Sequence, residues 1–95
     1  MVTVDVAPSA SADGWVCEVT VELDGERTHH TVKVSEADLE RWAGGGRRED
    51  VEDLVARSFD FLLQREPPAS ILRRFDLSAI RRYFPDYDDQ FKLQA

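Results

Sequence analysis

The fold of this chain is decided by residues 15–34, which read WVCEVTVELDGERTHHTVKV. Apolar and polar side chains alternate on both sides of Asp24-Gly25, which is the period of a strand with one buried face. Asp-Gly favours a two-residue hairpin turn, because both central residues of a type I′ turn need positive φ. The stretch is therefore predicted to form an antiparallel hairpin.

The turn and the alternation agree on one register for this hairpin. If Leu23 lies opposite Glu26, Glu22 lies opposite Arg27, which is a favourable charge pair on a face that contacts water. The other face then holds the side chains predicted to face the core: Trp15, Cys17, Val19, Val21, His30, Val32 and Val34.

A third strand is predicted beside the hairpin, because Val2, Val4 and Val6 alternate with polar residues. Residues 7–13 are small and turn-rich and are predicted to form a loop. The sheet over residues 2–34 is thus expected to be a three-stranded antiparallel meander.

Residues 36–84 are predicted to form three to four helices packed on one face of that sheet. Ser35 and Asp38 have the spacing of a capping box, and the glycines at 44–46 end the first helix. Apolar residues of the segment 51–65 cover an arc of roughly 200°. So wide an arc is expected to contact the sheet on one side and either the C-terminal helices or a second subunit on the other.

The C-terminal third is also predicted to be helical. Pro67-Pro68 should start a short helix, and Asp76 should cap another that ends at Pro85. The large apolar residues of both helices are expected to face inward: Ile71, Leu72, Phe75, Leu77, Ile80, Tyr83 and Phe84. The chain is thus predicted to be a single α+β domain over residues 1–85, followed by an acidic tail over 86–95 that is either docked or frayed.

The charge of the chain is unevenly distributed. The net charge is −7, whereas residues 65–85 carry five arginines against two carboxylates. The single Cys17 excludes an intramolecular disulfide and is typical of a reducing compartment. No basic apolar leader is visible, and no apolar run reaches the roughly 20 residues of a membrane span. A cytoplasmic location without a membrane partner is therefore predicted.

The sequence contains no pattern typical of a catalytic, cofactor-binding or metal-binding site. His29 and His30 point to opposite faces of a strand and cannot form one site. Cys17 and His30 share a face, but a zinc site needs three or four ligands. No nucleophile motif or P-loop is present. We therefore predict a non-enzymatic protein without cofactor or metal.

Two binding functions remain, and both concern the second half of the chain. The first is a protein–protein interaction or regulatory module with an unknown or self-associating partner, which Phe61 on the wide apolar arc is predicted to contact. The alternative is a nucleic-acid-binding regulator, antitoxin-like or repressor-like, because arginine binds phosphate bidentately and two short helices joined at Phe75-Asp76 would be similar to a helix-turn-helix. Four arginines are predicted to contact the nucleic acid, and the same four are further candidates for binding a protein partner: Arg73, Arg74, Arg81 and Arg82.

One resemblance bears on the chain as a whole. The strings at residues 58–67 (SFDFLLQREP), 70–78 (SILRRFDLS) and 83–85 (YFP) resemble a group of small bacterial proteins with no assigned activity. The resemblance implies a bacterial origin and a shared fold. It implies no activity, cofactor or site residue.

Overall fold

The structure is a computed structural model that describes residues 2–92. Its four-stranded sheet has the order β1-β2-β3-β4, formed by Val2–Ser11, Gly14–Leu23, Glu26–Ser35 and Arg74–Asp76. The first three strands pair antiparallel, whereas β4 pairs parallel to β3. The predicted α+β class and the antiparallel β1–β3 meander are confirmed, but the predicted strand count was wrong by one.

The central hairpin has the predicted register. Leu23 lies opposite Glu26, and positive φ angles of 52° at Asp24 and 82° at Gly25 form the turn. Arg27 Nη2 lies 3.0 Å from the Glu22 carboxylate on the polar face. The opposite face is buried, and its side chains form one wall of the core: Cys17, Val19, Val21, His30, Val32 and Val34.

Strand β1 is longer than predicted, because residues 7–11 belong to it rather than to a loop. Each of them lies opposite a residue of β2, from Ala7 with Glu18 to Ser11 with Gly14. Pairing with a strong strand therefore overrides the low strand propensity of these small residues. Only residues 12 and 13 remain as the turn.

Helix α1 spans Glu36–Asp38 and continues as a π-helical turn over Leu39–Ala43. Its capping box is confirmed, since Asp38 N donates to Ser35 Oγ at 3.1 Å and Ser35 N donates to Asp38 Oδ2 at 3.0 Å. Gly44 ends this segment with φ 75°. Helix α2 then spans Arg48–Leu63 and packs across β1 and β2.

The C-terminal third differs from its predicted form. Pro68–Ser70 form a single 3₁₀ turn, and the chain is then extended through β4. Thr31 N donates to Arg73 O at 2.6 Å, and Leu77 N donates to Lys33 O at 2.9 Å. Asp76 therefore lies in a strand and caps nothing. Hydrogen bonds to β3 outweigh the helical spacing of the apolar residues in this segment.

Two short helices complete the described chain, α3 at Ala79–Tyr83 and α4 at Asp86–Phe91. Tyr87 of α4 is fully buried, so the first part of the predicted tail is docked. Residues 93–95 of that tail lie outside the described residues. The sheet covers one side of α2 and α4 covers another, so one chain buries the wide apolar arc without a second subunit.

Candidate interaction groove

The candidate site is an apolar groove between the 3₁₀ turn, β4 and α3, which we call the Leu72–Tyr83 groove. It encloses about 200 Å³. Its lining is apolar except for Glu66 and Ser70, and consists of Leu62, Glu66, Ser70, Ile71, Leu72, Phe75, Ala79, Ile80, Tyr83 and Phe84.

The groove has a buried floor and an exposed rim. Leu62, Ile71 and Ile80 are all at most 5% exposed and form the floor. Leu72 is 52% exposed and Tyr83 is 68% exposed, although both were predicted to face inward. Only one other large apolar side chain of residues 2–92 is exposed, namely Val2 at 40%. An apolar rim of this kind marks a binding surface more often than scattered exposed residues do.

The local chain path explains why Leu72 and Tyr83 are exposed. The carbonyl of Leu72 is 2.8 Å from Nδ1 of His30, which fixes the backbone before β4 and leaves the leucine side chain outside the core. Helix α3 has five residues and buries only Ile80, and its last residue, Tyr83, is exposed where the helix ends. The spacing of apolar residues alone gives no signal for this, because it does not distinguish a helix from the extended segment that is present.

The four predicted arginines lie at β4 and in α3 rather than on two helices. Arg74 lies opposite Thr31 in β4 and is exposed. The Arg81 guanidinium carbon lies 5.9 Å from the centroid of the Trp42 ring. Arg73 and Arg82 are next in sequence to the two rim residues of the groove. The predicted helix-turn-helix was wrong, because Arg74 and its neighbours are in a strand.

These arginines are nevertheless available to a partner. All four are exposed, and the ion pairs found within residues 2–92 involve other arginines: Arg27, Arg41, Arg57 and Arg65.

Phe61, the other predicted contact residue, is part of the core. It is 4% exposed, and its ring packs edge-on against Phe84, Tyr87 and Phe91 at centroid distances of 5.3–6.0 Å. The Arg65 guanidinium carbon covers the same ring, 3.5 Å from its centroid. Phe61 is thus occupied by its own chain and unavailable to a partner in this fold.

The two histidines and the cysteine lie in three different environments. His29 is exposed and its Nδ1 is 3.3 Å from Thr20 Oγ1. His30 is 2% exposed, and its ring nitrogens contact Thr28 and Leu72. Burial raises the pKa of the Cys17 thiol to about 11, with smaller contributions from two nearby glutamates, so its reactive thiolate is not populated near neutral pH. Within residues 2–92, no group of three potential metal ligands converges.

A polar cluster attaches α4 to the π-helical turn that follows α1. The Asp88 carboxylate accepts hydrogen bonds from Arg41 at 2.6 and 2.8 Å and from the Trp42 indole nitrogen at 3.0 Å. The hydrogen bonds from Arg41 hold the pKa of Asp88 well below its usual range, and Trp42 adds to this effect. The cluster is internally satisfied, so we interpret it as structural.

Comparisons with known proteins add no functional information. No protein-family model, curated protein or solved structure matches the chain. Among the helices described for residues 2–92, none combines the length and the apolarity that crossing a bilayer requires.

Proposed function

We propose that this protein is an interaction module that binds a segment of a partner protein in the Leu72–Tyr83 groove. One observation carries the proposal: two of the three exposed large apolar side chains of the described chain line the same groove. Removing such side chains from water stabilises a complex by roughly 25 cal/mol for each Å² of apolar surface that is buried.

The size of the groove favours a side chain over a metabolite. Pockets for drug-sized ligands enclose about 300–1,000 Å³, whereas an apolar cavity of about 150 Å³ accommodates a single benzene ring. A groove of about 200 Å³ therefore suits one or two apolar side chains of a peptide segment. Tyrosine and arginine are also the residues most often found to dominate binding energy at interfaces.

The charges near the rim favour a partner segment with carboxylates beside its apolar anchor. Arg73 follows the rim residue Leu72, and Arg82 precedes the rim residue Tyr83. Neither arginine is paired with a carboxylate within residues 2–92. Glu66 is the one carboxylate in the lining. A segment with an apolar anchor flanked by carboxylates would pair with the arginines, and such pairs speed association more than they raise affinity.

The groove can be tested with substitutions that leave the core intact. Tyr83→Asp and Leu72→Ser change exposed side chains, so both variants should keep the far-UV circular dichroism of the wild type. A matched control is Val16→Ser, because Val16 is a partly exposed apolar residue on the polar face of the sheet, away from the groove.

The readout is a comparative affinity capture from a nuclease-treated lysate of the encoding organism, followed by titration of the captured protein. We expect wild type and Val16→Ser to retain the same partner, and Tyr83→Asp and Leu72→Ser to weaken it at least about tenfold. A partner that all four proteins bind equally would exclude the groove as its site.

Nucleic-acid binding is a second candidate, favoured by the absence of carboxylate partners for four exposed arginines in the described chain. Its expected signature is an affinity for mixed-sequence DNA or RNA that falls steeply with salt. Arg73→Ala and Arg81→Ala should each reduce the salt slope, whereas Leu72→Ser, which changes no charge, should have little effect. No binding at low salt would eliminate this candidate.

A further inference from the structure

Strand β1 forms one edge of the sheet, and its outer side is unpaired in the described chain. We propose that this edge pairs antiparallel with β1 of a second copy, so that two sheets join into one eight-stranded sheet across a two-fold axis centred on Val4. The surface lies apart from the Leu72–Tyr83 groove, so the proposal does not depend on the partner-binding function.

The hydrogen bonds of β4 reveal which backbone groups of β1 are free. Thr31 N donates to Arg73 O and Leu77 N donates to Lys33 O, so the odd-numbered residues of β3 point their polar backbone groups toward β4. Backbone direction alternates along a strand. The even-numbered residues of β3 therefore bond to β2, where they lie opposite odd-numbered residues such as Val19 opposite His30.

The same alternation extends to the outer edge. The even-numbered residues of β2 bond to β1, where they lie opposite odd-numbered residues such as Asp5 opposite Thr20. The even-numbered residues of β1 must then direct their N–H and C=O groups outward. Pro8 fits this assignment, because a residue without an N–H is tolerated in a strand only where no ladder bond is lost. Val2, Val4 and Val6 present a continuous row of free donors and acceptors.

Pro8 and Asp5 disfavour registers of the symmetric pair that are shifted toward the end of β1, and a shift toward its start shortens the ladder. With Val4 opposite Val4 of the other copy, Val2 lies opposite Val6, and the ladder of about six hydrogen bonds ends before Pro8. A shift that places Asp5 opposite Asp5 brings two like charges together. It also places Val2 opposite Pro8, which has no N–H to donate. A shift that centres on Val6 places Val4 opposite Pro8 and loses a donor.

Side chains on both faces suit this register. Val2 is 40% exposed, and Val4 and Val6 are partly exposed on the core side of the sheet, so a second copy would bury valine against valine there. On the polar side, Thr3 would lie opposite Asp5 of the other copy, where its hydroxyl can donate to the carboxylate. Strand β1 has ten residues, of which one is charged, Asp5, and one is a proline, Pro8. It is thus weakly protected against pairing with an identical strand.

A cysteine pair tests the register directly. Thr3→Cys and Asp5→Cys are made as separate variants, since Cys17 is buried and will not compete. Opposed residues in the non-hydrogen-bonded position come close enough for a disulfide. We expect an oxidised mixture of the two variants to give a covalent dimer, and each variant alone to stay uncrosslinked. Crosslinking of Asp5→Cys alone would overturn the proposed register.

Proline variants test the pairing itself in the full-length chain. Val4→Pro removes an outward N–H and leaves the ladder to β2 intact, and Ala10→Pro does the same beyond the proposed contact. By sedimentation equilibrium we expect a dimer for wild type and Ala10→Pro, and at least tenfold weaker association for Val4→Pro at an unchanged circular dichroism spectrum. A wild type that is monomeric at millimolar concentration, or a Val4→Pro variant that dimerises as tightly, would overturn the proposal.

Discussion

At the scale of single residues, Asp88 is expected to make the stability of the folded state fall at low pH. Because Arg41 and Trp42 hold its pKa below the ordinary value of 3.8, the folded state binds a proton less readily than the unfolded chain. This contribution to stability is complete above pH 3.8 and is lost as the pH falls further. We expect the thermal midpoint of the wild type to fall below about pH 4, and that of Asp88→Asn to fall less steeply.

The neighbouring carboxylate provides the control for this prediction. Asp89 is exposed and makes no ion pair within residues 2–92, so Asp89→Asn should keep the wild-type pH profile. Equal slopes for wild type and Asp88→Asn below pH 4 would contradict the assigned role of Asp88. The comparison is made by thermal unfolding across a pH series at constant ionic strength.

The two tyrosines should respond differently to loss of the hydroxyl. The buried Tyr87 hydroxyl lies 2.7 Å from Ser58 Oγ, which itself donates to Leu54 O at 2.7 Å, so the tyrosine is the donor. Tyr87→Phe should therefore lower the free energy of unfolding by about 1 kcal/mol. Tyr83→Phe changes an exposed side chain and should leave it unchanged. Chemical denaturation of the two variants measures the difference, and equal effects would refute the buried bond.

At the scale of elements, two glycines of the hairpins separate backbone strain from steric overlap. Gly25 has φ 82° and open space where a Cβ would be, so Gly25→Ala should cost about 1–2 kcal/mol from conformation alone. Gly14 has φ 146°, and a Cβ there would overlap the Val34 carbonyl oxygen, so Gly14→Ala should cost about 3 kcal/mol or more. Denaturant unfolding tests the order, and a smaller loss for Gly14→Ala would contradict it.

Elements formed by contacts between neighbouring residues were predicted from the sequence, whereas the element formed by a long-range contact was not. The β2–β3 register and the Ser35 cap follow from contacts between residues close in the chain, and both are confirmed. Strand β4 depends on pairing with Thr31, more than forty residues away, and its sequence has the spacing of a helix. The groove was not predicted either, since both of its rim residues, Leu72 and Tyr83, have the spacing of inward-facing helical residues and are exposed in the structure.

At the scale of the whole molecule, the buried apolar residues form one cluster shared by the sheet and the helices. A single cluster predicts one cooperative unfolding transition. The two tryptophans report on it from different places, because Trp42 is buried under α4 and Trp15 is partly exposed at the start of β2. The fluorescence midpoints of Trp15→Phe and Trp42→Phe should coincide with the circular dichroism midpoint. An earlier transition reported by Trp42 would indicate that α4 detaches first.

The late position of β4 in the chain has a consequence for synthesis. The three antiparallel strands close through turns of two residues, whereas β4 must return across the whole of α2 to reach β3. Such long-range closure is slow, because its loop entropy is lost before any contact forms. A nascent chain can therefore build the sheet while the groove still lacks Phe75 and Tyr83. The groove is therefore absent from any folding intermediate in which β4 has not yet paired with β3.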